Sequence, residues 1–250
     1  MAVGVMLAVL YARAVVRLRR RGRRWPVGRS WAFAGGILAL AGSAVLPEST
    51  FVGHMTGHVV LGMVAPLLLG LGAPVTLLLQ STTRPTKRRL LRVLHTSPAL
   101  TLLHPVVGFA AFSATLVGLY LSPLLLLSLR NPVVHAAVHI HVLTIGCLFL
   151  WPLTSADTLP RAMSHGTRLL AVLLAVPFHA FLGLALLSTE APLAPRFYPS
   201  LEDQHAAAGV LWASGELLTL VVAGIVFRAW WLADGREAAR SDRRLDAATG

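Results

Sequence analysis

The sequence has little charge, few acidic residues and a single cysteine. Only 13% of its 250 residues are charged and 56% are hydrophobic, whereas a soluble globular domain carries about 25% charged residues. This composition excludes a solvated soluble domain. It also excludes disordered, collagenous and coiled-coil chains, which do not combine so much apolar sequence with so little charge. The single cysteine, Cys147, excludes an intrachain disulfide framework and a metal site built from cysteines.

Long apolar segments make up most of the chain, and seven of them are candidates for membrane-spanning helices. A spanning helix needs about 20 mostly apolar residues. The predicted spans cover residues 2–16, 31–46, 51–79, 98–121, 133–153, 169–188 and 206–232. They predict an all-α bundle of about seven helices in the cell membrane. We assign one transmembrane domain to residues 1–232 and a polar tail to residues 233–250.

The basic residues alternate in their placement along the chain. Lys and Arg outnumber Asp and Glu by 22 to 10. Nearly all of the Lys and Arg residues follow spans one, three, five and seven. The other connections hold only Arg130 and Arg196. Because basic segments are retained on the cytoplasmic side, the amino terminus is predicted outside and the carboxyl terminus in the cytoplasm. This topology explains the arginine clusters, so we infer no nucleic-acid binding.

The predicted topology brings most of the ten histidines to the outer side of the membrane. These residues are His54, His58, His135, His139, His141, His179 and His205. His54 and His58 are four residues apart and therefore share one helix face. His135 and His139 repeat that spacing on span five. Since these depths overlap, we predict that His54 or His58, one histidine of span five, and His179 line one outward-facing pocket.

Histidines at this depth favour metal chemistry. Intramembrane ionisable residues are candidates for function, and imidazole is a common ligand of copper, zinc and iron. Met55 and Met63 on span three add thioethers, which favour copper(I). Two alternatives remain open: histidines that only form hydrogen bonds between helices, and histidines that are axial ligands of haem.

Two further features of the spans have structural consequences. Glu216 lies near the middle of span seven, where a lipid-facing carboxylate is costly. We therefore predict that it faces the bundle interior, within reach of a polar side chain. Proline and glycine residues from Pro66 to Pro74 predict a bent or broken inner half of span three. The sequence has no GxSxG, P-loop or HExxH motif, and we predict a protein that is not an enzyme.

Several blocks of the sequence resemble the cytochrome c oxidase assembly factors of the CtaG type. The blocks occur in order over nearly the whole chain. They are His54-Met-Thr-Gly-His58, Met63-Val-Ala-Pro66, Leu71-Gly-Ala-Pro74-Val-Thr76, His141-Val-Leu-Thr-Ile-Gly146, Asp157 with Pro160-Arg161, Pro177-Phe-His179-Ala-Phe-Leu-Gly183, Asp203-Gln204, and Gly215-Glu216.

The resemblance implies a multi-pass membrane protein that helps copper reach a haem-copper oxidase, with cytochrome c oxidase subunits as partners. The residues that it implies as ligands are His54, His58, His135, His141 and His179. Asp203 and Glu216 are implied as polar partners of these histidines. His139 and His205 are candidates from the predicted topology rather than from the family blocks. The functional expectation is therefore a copper-holding assembly factor, with a haem-binding redox protein as the alternative.

Overall fold

The computed structural model describes residues 2–154, 156–157, 159–160 and 163–249, and these residues form helices and connections without a β-strand. The first half of the chain forms α1 (Ala2–Arg20), α2 (Val27–Ser43), α3 (Phe51–Val59), α4 (Ala65–Leu71), α5 (Pro74–Ser81), α6 (Arg84–Leu94) and α7 (Ser97–Leu102). The second half forms α8 (Pro105–Tyr120), α9 (Leu124–Arg130), α10 (Pro132–Thr154), α11 (His165–Leu187) and α12 (Leu201–Thr249). The predicted all-α membrane fold is confirmed.

The number of spans differs from the prediction. Four helical segments of the described chain are long and apolar enough to cross a membrane: Phe51–Ser81, Pro132–Thr154, His165–Leu187 and Leu201–Gly235. A fifth is counted if α8 and α9, which meet at 68°, form one bent span. Helix α1 ends in a basic turn and α2 has only 17 residues, so the count of seven is not confirmed.

Some predictions concern residues at the margins of the structure. Helix α12 continues as far as Thr249, through the tail that was assigned to residues 233–250. Arg161 of the family block and Gly250, which the topology places in the cytoplasm, lie outside the described residues. The orientation of the two termini stays a prediction.

The segment Phe51–Ser81 is one broken helix. A π-helical turn, Val60–Val64, separates α3 from α4. The chain then breaks between α4 and α5, where Ala73 has a φ of 50° in the left-handed region. The predicted break is thus present, and proline at the start of both α4 and α5 fits it because proline is tolerated in the first helical turn.

Aromatic side chains from α1 and the following loop stabilise this break. The Tyr11 hydroxyl donates a hydrogen bond to the Gly72 carbonyl at 2.8 Å, and the Trp25 indole N–H donates to the Tyr11 oxygen at 3.0 Å. The Tyr11 ring stacks on Phe33 of α2 with centroids 3.9 Å apart. A carbonyl that the break leaves without a helical partner is thereby paired, as a buried backbone group requires.

A second polar contact fixes the start of α5. The Asp157 carboxylate accepts hydrogen bonds from the backbone N–H groups of Val75 at 2.8 Å and Thr76 at 2.5 Å. The Thr76 hydroxyl also donates to Asp157 at 2.5 Å. The first N–H groups of a helix lack helical acceptors, and a carboxylate at this end also interacts favourably with the helix dipole.

Small residues let α10 cross the broken helix closely. A Cβ atom added to Gly146 would lie 2.1 Å from the Gly62 carbonyl oxygen, so only glycine fits at this crossing. Small residues at such contacts allow helix backbones to approach in membranes. The crossing lies about one turn from His58 and about two turns from His139. It therefore sets the distance between these two histidines.

Candidate metal-binding site

Four histidines from two helices converge at the Phe51 end of the broken helix. We call His54 and His58 of α3 and His135 and His139 of α10 the histidine cluster. The ring centroids of His54 and His58 are 4.4 Å apart, those of His135 and His139 are 4.2 Å apart, and those of His58 and His139 are 5.0 Å apart. A contact of 3.1 Å between the two helices joins the Nε2 atoms of His58 and His139.

Burial changes across the histidine cluster. His54 and His58 are buried, with 2% and 5% of their surface exposed, whereas His135 and His139 are partly exposed. The Nε2 atom of His54 is enclosed and has no hydrogen-bond partner among the described residues. The Nε2 atom of His135 is likewise enclosed without a hydrogen-bond partner among these residues, and only the Glu48 carboxylate beside it is exposed.

A carboxylate adds an oxygen ligand to the histidine cluster. Glu48 lies in the loop before α3, and its Oε1 is 3.6 Å from His135 Nε2. One ligand atom each of Glu48, His135 and His139 lies within 4.8 Å of the others. The loop packs directly on α3, since a Cβ added to Gly53 would lie 1.9 Å from the Pro47 carbonyl oxygen. Glycine at position 53 is therefore needed to bring Glu48 to the cluster.

Tyr120 of α8 orients the His58 ring through Nδ1, the ring nitrogen that does not contact His139. A hydrogen bond of 3.0 Å joins the Tyr120 hydroxyl and His58 Nδ1, and Tyr120 is fully buried. When the hydroxyl donates to Nδ1, neutral His58 carries its proton on Nε2 and donates it to His139. When a metal occupies Nε2, the proton is on Nδ1 and the Tyr120 oxygen accepts it, which is the usual support of a ligating histidine.

The amino terminus of α3 is held by two side chains. Asp203 of α12 accepts hydrogen bonds from the N–H groups of Phe51 at 2.5 Å and Val52 at 3.3 Å. Thr50 accepts one from Gly53 N–H at 3.1 Å. Asp203 was expected to be a polar partner of the histidines. It acts instead on the backbone of the helix that carries His54 and His58, and so fixes where these side chains stand.

The loop between α11 and α12 covers one side of the histidine cluster. The Tyr198 ring lies 5.8 Å from the His54 ring and 5.1 Å from the Phe51 ring, and its hydroxyl donates to the Glu48 carbonyl at 3.2 Å. Burial, together with the nearby carboxylates of Glu48 and Asp203, raises the pKa of Tyr198 to about 12. The phenol is therefore neutral at physiological pH.

His141 does not join the histidine cluster. It is exposed on another face of α10, and its Nε2 forms a hydrogen bond of 2.9 Å with the Thr115 hydroxyl of α8. Two residues correspond to about 200° around a helix, so His141 points away from the side that His139 faces. His141 lines a separate open groove of about 590 Å³ between α8, α9 and α10.

His179 also lies apart from the histidine cluster. It is buried on α11, where its ring packs against Phe112 at 5.9 Å and Phe178 at 6.2 Å. It lines a small cavity with Met63 and other mainly apolar side chains. The structure brings histidines of predicted spans three and five together but places His179 in a different cavity, and the outward orientation stays a prediction.

Two other predicted residues have different surroundings. His205 lies at the start of α12, where its Nε2 forms a hydrogen bond of 3.2 Å with the Thr189 carbonyl. Glu216 is partly buried, and its Oε1 is enclosed without a hydrogen-bond partner among the described residues. The predicted interior position of this oxygen agrees with the structure, but the predicted polar partner of Glu216 is not confirmed.

The arrangement of the histidine cluster suits a single metal ion. Metal–imidazole bonds are about 2.0–2.1 Å long, which puts two ligating nitrogens of a tetrahedral site about 3.3 Å apart. The contact of 3.1 Å between His58 and His139 is close to this value. Two axial haem ligands need the porphyrin plane between them, and nitrogens facing each other at 3.1 Å leave no room for it. The geometry therefore favours a metal ion over haem at the cluster.

Three side chains at the cluster were not identified from the sequence: Glu48, Tyr120 and Tyr198. Glu48 could have been found, because it is an acidic residue within a short loop that precedes the first histidine pair. Tyr120 and Tyr198 carry no such signal, since they are distant along the chain and reach the histidines only through helix packing and loop folding.

Comparison with known proteins agrees with the family expected from the sequence blocks. Curated relatives include uncharacterized proteins of Mycobacterium bovis and Mycobacterium tuberculosis, each 36% identical over 267 residues, and one of Mycobacterium leprae, 32% identical over 267 residues. Each match covers 98% of this chain and 40% of the relative, so the chain spans less than half the length of these relatives. No solved structure matches the chain.

A family model gives the identity. The model for the cytochrome c oxidase caa3 assembly factor matches residues 9–233. This range includes the histidine cluster, the broken helix and Asp203, which holds the start of α3. The chain therefore belongs to the family of cytochrome c oxidase caa3 assembly factors.

Proposed function

We propose that this chain assists the assembly of a haem-copper cytochrome c oxidase by holding copper at the histidine cluster and transferring it to an oxidase subunit. The observation that carries this proposal is the convergence of two i, i+4 histidine pairs, with His58 and His139 in contact at 3.1 Å. Family membership supplies the context of oxidase assembly. The role is that of a carrier, and it needs no catalytic step.

Copper suits the donor atoms better than other common metals. Divalent copper binds nitrogen ligands more strongly than zinc does, and imidazole is a suitable ligand for it. Calcium and magnesium prefer oxygen ligands, and the cluster offers four imidazoles with one carboxylate. The Glu48 carboxylate also lowers the net charge of a loaded site, which limits the cost of placing an ion near lipid.

The change in burial across the cluster supports transfer as well as storage. Glu48 is 58% exposed and stands next to His135, whereas His58 is buried beside Tyr120. A metal ion can first meet the exposed Glu48 carboxylate and then gain the enclosed nitrogen of His135, which lies 3.6 Å away, and those of the buried histidines. The same path in reverse releases the ion to a partner. We propose that this end faces outward in the cell membrane, as the predicted topology places it.

Copper binding by purified protein tests the proposal. We expect the chain in detergent to bind copper, and the double variant His58→Ala, His139→Ala to lose at least about 100-fold in affinity, since bound imidazoles are removed. His141→Ala is the matched control, because it removes a histidine from the same helix outside the cluster. In cells that lack the native protein, the double variant should leave cytochrome c oxidase activity low, and the His141 variant should restore it.

Two results would overturn the proposal. One is copper affinity that the double variant leaves unchanged. The other is a Soret absorption band from haem in the purified protein that disappears in the same double variant, because the cluster would then bind haem instead.

A further inference from the structure

His179 is a buried imidazole without a visible role in stabilising the fold. Its residue surface is 2% exposed. One ring nitrogen lies near the Ala175 carbonyl one turn earlier on α11, and the other is enclosed without a hydrogen-bond partner among the described residues. Buried polar groups are nearly always paired, because an unpaired one destabilises the folded state. An apolar residue of similar size would avoid this cost. The His179 imidazole is therefore expected to bind a ligand.

The cavity beside His179 has room for one small ligand. We call it the deep cavity; it is lined by His179, Met63, Thr219 and apolar side chains of α8, α10, α11 and α12. Its volume is about 20 Å³, and a cavity of about 10–15 Å³ is needed for one water molecule. The deep cavity therefore accepts a water molecule or a single ion, but not a macrocycle or an organic substrate.

The deep cavity is close to the histidine cluster through shared walls. A second cavity of about 20 Å³ is lined by His58, Tyr120, Met63 and Phe112, among others. Met63 and Phe112 also line the deep cavity. Met63 belongs to the π-helical turn just after His58, and such turns occur frequently at functional sites. One residue, Met63, thus lines both the cavity beside His58 and the cavity beside His179.

The donor atoms of the deep cavity select a soft ion of low charge. Its lining residues offer one imidazole, one thioether and one hydroxyl, and no carboxylate or thiolate. Thioether sulfur selects Cu(I) among biological metal ions. A divalent ion in apolar surroundings without an anionic ligand is strongly disfavoured, because the cost of burying charge is large unless the charge is compensated. A monovalent ion reduces that cost.

We propose that Met63 and His179 form a second Cu(I)-binding site in the deep cavity, beneath the histidine cluster. This inference rests on the proposed function, since copper is the cargo that the cluster supplies. Copper moves as Cu(I) throughout, so no electron is exchanged: the His58 imidazole releases it to the thioether of Met63, a residue that lines both cavities, and it is then held between Met63 and His179. The chain therefore holds two copper ions at different depths.

The position of Gly215 supports a fixed place for the His179 ring. A Cβ added to Gly215 of α12 would lie 2.6 Å from His179 Cγ and 2.7 Å from Cδ2. Only glycine allows the ring to lie against α12 at this point. A ligand site requires such fixed placement of its donor, and Gly215→Ala is expected to displace the imidazole and to weaken the deep site without removing a donor.

Cu(I) binding by the full chain in detergent, without oxygen, tests the inference. We expect wild type to bind about two Cu(I) ions per chain and to show sulfur among the copper ligands in X-ray absorption spectra. Met63→Leu, which conserves volume, should bind about one ion and lose the sulfur signal. His179→Ala should also lose one ion. Met55→Leu is the matched control, because Met55 is buried on α3 but is not among the residues that line the two cavities.

The outcomes separate this inference from the proposed function. If wild type binds a single ion through nitrogen and oxygen, and only the variant His58→Ala, His139→Ala removes it, the second site is wrong while copper holding by the cluster stands. The second site is equally wrong if Met63→Leu and His179→Ala leave both the stoichiometry and the sulfur signal unchanged. If wild type binds no Cu(I), both proposals fall. Should His179→Ala fail to fold, Met63→Leu still decides between these outcomes.

Discussion

Two helices within the broken segment Phe51–Ser81 begin at a carboxylate that accepts hydrogen bonds from backbone N–H groups, but the two capped ends have different roles. At the Phe51 end, Asp203 accepts two backbone N–H groups at the start of α3. Toward the Ser81 end, Asp157 accepts two backbone N–H groups at the start of α5. Both carboxylates come from distant parts of the sequence and satisfy groups that a helix cannot pair itself.

The surroundings of the two capped ends differ in chemistry. Helix α3 carries His54 and His58 toward two further histidines and a carboxylate. Around α4 and α5, by contrast, the aromatic side chains of Tyr11, Trp25 and Phe33 form an apolar cluster with Leu69 and Leu77. The comparison teaches that helix capping positions ligands at one end and closes the fold at the other, so equivalent substitutions should have different consequences.

The largest expected effect is on stability, from Asp157→Ala. This change removes the hydrogen bonds that the Val75 N–H, the Thr76 N–H and the Thr76 hydroxyl donate to the carboxylate. We expect a loss of about 2–4 kcal/mol in the free energy of unfolding. Copper affinity of the remaining folded protein should be unchanged. Denaturation in detergent and copper titration measure the two quantities, and Asp157→Asn, which retains an acceptor, should lose less stability. Loss of copper affinity in the folded fraction would break the comparison.

Asp203→Ala should lower copper affinity but cost less stability than Asp157→Ala. The lost cap at Phe51 and Val52 is expected to cost about 1 kcal/mol of stability. Copper affinity should fall by about 10-fold, because the helix that carries His54 and His58 is no longer fixed. Glu202→Ala is the control, since Glu202 is an exposed neighbour on the same helix. An Asp203 variant with native copper affinity would show that the cap does not position the ligands.

Two tyrosines allow a paired test of the two ends. Tyr120→Phe removes the hydroxyl that orients His58, and copper affinity should fall by about 10-fold. Tyr11→Phe removes the hydrogen bond to the Gly72 carbonyl and should cost about 1 kcal/mol of stability while leaving copper affinity native. Isothermal titration with copper and thermal unfolding compare the variants. Equal copper affinities for the two variants would contradict the assignment of Tyr120 as a positioning residue.

The smallest effect concerns pH and only the Phe51 end. Because the pKa of Tyr198 is raised to about 12 from an ordinary value of about 10, its neutral form is favoured in the folded protein. The contribution of neutral Tyr198 to the free energy of unfolding is present below a pH of about 10 and is lost as the pH rises toward 12. The difference in ultraviolet absorption between wild type and Tyr198→Phe should show phenolate forming near pH 12. Phenolate formation near pH 10 would mean that Tyr198 is not enclosed as described.

Part of the fold followed directly from the sequence. The four long spans appear as apolar runs in the sequence. Pro66, Gly72 and Pro74 indicate where the first of these four, Phe51–Ser81, breaks. The weaker segments were harder, because α1 has a basic end and α2 is short. Hydropathy identifies apolar segments, but it does not separate a helix that crosses the membrane from one that only packs against the bundle.

The sequence by itself determined the two histidine pairs, since residues four apart share a face on any α-helix. Only the tertiary structure decided which histidines meet. The rotation of α10, fixed where Gly146 meets Gly62, brings His139 to His58 and turns His141 away. The same packing places His179 in a cavity of its own and brings Glu48 and Tyr120 to the cluster. These contacts join residues that are distant in sequence, and local periodicity carries no information about the rotation of one helix against another.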